Sequence, residues 1–137
     1  MRKLTRKNQK GFTLLEILIV LIIIGVLAAL AIPIYVSTVE KSRKQEAYQT
    51  LSAVREAQLR YRTANAAYAS SYTALDYDPT DVTSDPPGMV RHFTYAAPTA
   101  AAATWSVVAT RNATDRPTGV PAYTVTIDQT GTITSTY

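Results

Sequence analysis

Glu16 is the one formal charge in the run Phe12–Val36, FTLLEILIVLIIIGVLAALAIPIYV, and a carboxylate in that setting needs a partner. As a helix, these about 25 residues would extend roughly 37 Å, enough to cross the ~30 Å hydrocarbon core of a bilayer with some tilt. A charge held in hydrocarbon costs on the order of 3 kcal/mol or more and marks a functional contact by default. No cation lies inside the run, because Arg2, Lys3, Arg6, Lys7 and Lys10 all precede Gly11. A cut after Gly11 would create the missing charge. Phe12 would then carry an α-ammonium one helical turn from its own Glu16, or within reach of the Glu16 of a neighbouring copy.

The residues Lys10-Gly11-Phe12-Thr13-Leu14-Leu15-Glu16, followed by Gly25 and Pro33 in the apolar run, closely resemble the class III leader and N-terminal helix of type IV pilins and type II secretion pseudopilins. The match covers residues 10–33, and the rest resembles the family only in layout. The resemblance implies cleavage between Gly11 and Phe12 by a prepilin peptidase on the cytoplasmic face, N-methylation of Phe12 by the same enzyme, and polymerisation. It also implies that Glu16 aligns with the N-terminal amine of an adjacent subunit and sets the axial register. Pro33 lacks an N–H and clashes with the carbonyl of Ala29, which predicts a kink or local opening. Gly25 is a second weak point, at about 1 kcal/mol relative to alanine. The resemblance implies that the helix between them can melt when packed in a filament.

Two plainer readings compete. A secretory signal peptide also has a basic start and an apolar core, and Ala29-Leu30-Ala31 would serve as its cleavage site, with Ile32 as the first mature residue. The interrupting Glu16 and Pro33 count against it. A simple single-pass anchor leaves Glu16 without a purpose.

The formal charge of +4 is a topology signal. Residues 1–11 hold five of the fourteen Lys and Arg and none of the ten Asp and Glu, so the remainder carries nine against ten. A basic leader stays in the cytoplasm by the positive-inside rule, and the near-neutral remainder suits self-packing and gives no nucleic-acid site. There are no cysteines, which excludes thiol chemistry and disulfides. Many pilins close a C-terminal loop with a disulfide, so this chain departs from that pattern.

From residue 37 to 65 the pattern becomes an amphipathic helix. Val36, Val39, Ala47, Leu51, Val54 and Tyr61 recur at three- and four-residue steps, with a gap at Arg43. Lys41, Lys44, Glu46, Arg55, Glu56 and Arg62 read as solvated faces, and Glu40 with Lys44 as an i,i+4 pair. Residues 66–137 read as a connector loop and a head. Tyr68, Tyr72 and Leu75 are expected to clip the connector to the helix. Alternation over 90–95, 104–110 and 123–128, with a possible strand at 132–136 after the turn at Gly131, predicts an antiparallel sheet of three to four strands. The expected class is α+β: a long N-terminal helix, half transmembrane and half amphipathic, on a C-terminal sheet.

Other chemistry is thin. Asp76, Asp78, Asp81 and Asp85 could bind calcium, as in some pseudopilins, but the EF-hand glycine and closing glutamate are missing, and solvated loop carboxylates are the expected outcome. His92, the one histidine, reads as a sheet residue. Asn112-Ala113-Thr114 fits a glycosylation sequon that also arises by chance. No catalytic constellation or cofactor site is present in the pattern, so an enzyme is not expected. The expected function is structural. A prepilin stored in the bacterial inner membrane would be polymerised by an assembly platform and its ATPase, with minor pilins, into a helical homo-oligomer for adhesion, motility or DNA uptake. The alternatives are a periplasmic type II secretion pseudopilin and, more remotely, a secreted or anchored β-rich binding domain.

Overall fold

The computed structural model describes residues 11–81, 83 and 90–137. One helix, α1 (Leu14–Asn65), precedes a 3-10 turn at Tyr72–Ala74 and five strands: β1 (Phe93–Tyr95), β2 (Thr99–Ala100), β3 (Trp105–Arg111), β4 (Thr124–Asp128) and β5 (Ile133–Ser135). This is the α+β class expected. The chain divides into two compact units, one ending at Thr38 and the other Val39–Tyr137.

In the first unit the helix is apolar on every side, and each residue from Gly11 to Tyr35 is exposed. No described residue covers it. α1 is long and apolar enough here to cross a membrane. Pro33 lies within the helix rather than at its end.

The second unit packs one face of α1 against one face of the sheet. Ala47, Leu51, Val54 and Ala57 supply the helical side of the core, at the steps that a period of 3.6 requires. All strand pairs are antiparallel, in the order β1-β3-β4-β5, with β2 also on β3. The register sets Val107 opposite Ile127 and Ala109 opposite Val125. Alternate residues therefore point inward together, and Trp105, Val107, Ala109, Val125 and Ile127 are all buried. Full burial of one such aliphatic side chain is worth about 1.5–3 kcal/mol. The two-residue strand β2 was not expected. It lies in the Ala- and Thr-rich stretch after Pro98, which has no alternation to read.

The β4–β5 hairpin turns at Gly131 with φ +85, and a Cβ added there would stand 2.7 Å from Arg55 Nε on α1. Gly119 has a similar φ of +90 with open space around it. Gly119→Ala should therefore cost the backbone term alone, about 1–2 kcal/mol, and Gly131→Ala more than that. Denaturation midpoints of the two variants, followed by Trp105 fluorescence, check the order. Equal midpoints would mean that Arg55 moves aside without cost.

Candidate functional site

The start of α1 is built by Thr13. Its Oγ1 accepts the Glu16 N–H at 3.2 Å and its carbonyl accepts the Ile17 N–H at 3.3 Å, the N-cap arrangement that satisfies amides left over at a helix start. The signal was available in the sequence as Thr13-x-x-Glu16. Glu16 thus stands in the first turn, where the helix dipole favours an acid. Its carboxylate makes no hydrogen bond or ion pair among the described residues. Phe12, at 80% exposure, lies just ahead of it. Gly11 and Phe12 thus lie just ahead of the helix whose first turn carries Glu16. Gly25 and Pro33 lie well along the helix, roughly 14 and 26 Å from Glu16 by helical rise. A Cβ at Gly25 would meet nothing within 4 Å.

A second group of charges is buried inside the Val39–Tyr137 unit. Glu40 and Arg111 form an ion pair with both side chains 0% exposed. Arg111 Nε donates to Glu40 Oε2 and Nη2 to Glu40 Oε1, each at 3.0 Å, the two-pronged geometry that suits guanidinium and carboxylate. Arg43 Nη1 donates to Oε1 at 2.8 Å and the Tyr123 hydroxyl to Oε2 at 3.0 Å. Arg111 Nη1 also donates to Asp115 Oδ1 at 2.6 Å, and His92 Nδ1 bonds Asp115 Oδ2. This corrects the reading of Glu40 as half of a solvated pair with Lys44. Lys44 instead donates to the Tyr137 carbonyl and lies over the Tyr137 ring. Arg111 escaped the sequence because the strand was ended at Thr110. Its place in the alternation Trp105, Val107, Ala109, Arg111 was the available signal.

Burial raises the carboxyl of Glu40, but the bonds from Arg111, Tyr123 and Arg43 outweigh it and hold the group below its ordinary value of 4.5. Burial also opposes the charge on Asp115, yet Arg111 and His92 bring it from 3.8 to about 2. Both acids are depressed in the folded state. Their contribution is present in full above the unfolded values and is lost as pH falls through the folded ones. Head stability, read by Trp105 fluorescence in denaturant, should fall between about pH 4.5 and 2. Glu40→Gln combined with Asp115→Asn should flatten that slope, and an unchanged slope would assign it to other carboxylates.

Residues 6–32 match the family model described as the prokaryotic N-terminal methylation motif. The chain is 41% identical over 69 residues to a Type II secretion system core protein G of Escherichia coli (strain K12), covering 50% of this chain and 48% of that one. A protein of the same name from Pseudomonas aeruginosa is 37% identical over 71 residues, 52% and 50% of the two chains. The fimbrial protein EcpC of Eikenella corrodens is 51% identical over 43 residues, 31% and 28%. The similarity to pseudopilins and to a fimbrial protein lies over at most about half of the chain. The chain spans about half the length of the secretion relatives it matches, and no solved structure matches it.

The remaining candidates have ordinary roles. Asp76 pairs with Arg60 at 2.7 Å, Asp78 accepts from Thr80 and Asp81 from Thr83; Asp85 lies outside the described residues. No group of three acidic, His or Cys side chains suited to a metal is present among the described residues. Asn112, the sequon residue, uses its amide to donate to the Arg91 carbonyl and accepts from Thr94. His92 precedes β1 and faces Asp115 rather than standing in a strand. Of the residues expected to clip the connector to the helix, Tyr68 accepts from Arg62 of α1 at 2.6 Å, Tyr72 is buried and donates to the Ala96 carbonyl, and Leu75 is half-buried. Sequence reasoning also missed Gln58, whose side-chain amide donates to the Ala69 carbonyl and accepts the Ala69 N–H, serving the connector as a strand would.

Proposed function

We propose that this chain is a structural subunit of a type IV pilus-like filament. It is made as an inner-membrane precursor, cut after Gly11, methylated on Phe12 and polymerised by a membrane platform with its ATPase. The observation that carries this reading is the coincidence of two features. The methylation motif spans a helix start whose one acid, Glu16, has no partner among the described residues, and it runs on into an apolar helix that no described residue covers. A neighbouring copy would supply both an amine for the acid and a cover for the helix. Contacts of this head-to-tail kind propagate into open filaments. The reading assigns the chain no enzymatic role.

The test is the mass of the mature N-terminus. A chain beginning at methylated Phe12 is expected. Retention of residues 1–11, or a start at Ile32, would overturn the proposal. A secretion pseudopilin is the second reading, supported by the similarity to core protein G of two secretion systems. Long surface filaments in wild-type cells support the pilus, and short periplasmic ones support the pseudopilus.

A further inference from the structure

Glu40 is the first buried residue of α1, and the next, Ala47, follows nearly two turns later. Helices open from their ends, and opening proceeds until it meets an interaction that is costly to break. Before Glu40 the helix offers little resistance, since Gly25 and Pro33 weaken it and no residue from Gly11 to Tyr35 is buried. At Glu40 the resistance changes in kind. To let that residue leave the helix, Arg111 must lose its two-pronged partner while remaining buried, and Tyr123 must lose its acceptor. Removing one partner of a buried pair is far more costly than losing an exposed one.

The same turn is fixed twice more by charged groups. Arg43 Nη1 donates to the Asp115 carbonyl at 3.1 Å, and Lys44 Nζ donates to the Tyr137 carbonyl at 3.1 Å while lying 4.7 Å from the centre of the Tyr137 ring. Residues 40–44 are thereby fastened to the end of β3, to the loop at Asp115, to Tyr123 and to Tyr137. The fastening is by ions and hydrogen bonds, ahead of the point at which the apolar core begins.

We propose that this cluster is a stop: loss of helix that begins N-terminal to it ends at Glu40, and the head from there onward keeps its structure. The device is intrinsic to one chain and holds whether or not the chain polymerises. It would let the apolar half of α1 yield to heat or load without unfolding the sheet.

Amide hydrogen exchange on the full chain in detergent micelles tests this. In the wild type, protection should rise sharply between peptides covering 25–39 and 40–46. Glu40→Gln should speed exchange in 40–46 at least roughly tenfold, with peptides from 47–60 and from β3 and β4 changed less than about twofold. Arg111→Lys keeps the charge and loses the fork, so it should give a smaller rise in the same peptide. If Glu40→Gln does not fold, Arg111→Lys alone decides. Unchanged exchange in 40–46 overturns the proposal. So does a rise of equal size from residue 40 through the sheet, which would make the cluster a general support of the head.

Discussion

Glu16→Ala should leave a precursor that is still cut after Gly11 yet lowers filament yield at least roughly tenfold, one broken charge contact of ~1.4 kcal/mol per subunit being sufficient. The structure explains why the two steps separate. Thr13 caps the helix through the Glu16 backbone amide, not its carboxylate, so alanine keeps the cap and the start of the helix that the proposed processing enzyme would meet. What alanine removes is a carboxylate with no partner among the described residues. Glu16→Gln sharpens the test, because it keeps the shape and loses the charge. It should fail as alanine does. The ratio of sheared filaments to total subunit, measured beside the N-terminal mass, reads both steps, and normal filaments from the Gln variant would rule out a charge-based register.

Arg111→Met should be the most damaging single change in the head, at about 3–5 kcal/mol, because Glu40 then stays buried without its main counter-charge. Its two other donors, Arg43 and Tyr123, remain, yet Arg43 is partly exposed and meets only Oε1. Glu40→Leu combined with Arg111→Met should recover most of the loss, since an apolar pair of similar volume replaces buried ions at little net cost. Chemical denaturation of the full chain in detergent, followed by the single Trp105, measures the cycle. Single variants that cost less than about 1 kcal/mol would reduce the cluster to the rank of a surface salt bridge.

The readable parts of this chain are those governed by local rules. Apolar run length and the steps from Ala47 to Val54 gave the helix, and two-residue alternation gave four strands to within a few residues. Strand β2 is two residues without alternation, so no rule reaches it. At the N-terminus, Gly11, Phe12 and Glu16 fall within six consecutive residues and could be recognised as a unit. Glu40 was misread for the opposite reason. Lys44 stands at a favourable helical spacing, whereas the true partner, Arg111, is 71 residues away and is brought near only by the fold. Gln58 is similar: a glutamine on a helix looks solvated until the chain returns at Ala69. Long-range polar contacts leave little local trace, because each residue alone satisfies its own neighbourhood.

Gly25 has vacant space where a side chain would begin. Alanine at that position should strengthen the lone helix by about 1 kcal/mol. A defect that Gly25→Ala brought to a polymer would therefore have two separable sources, a stiffer helix within the chain and crowding against a second molecule, and the helicity of the lone chain measures the first.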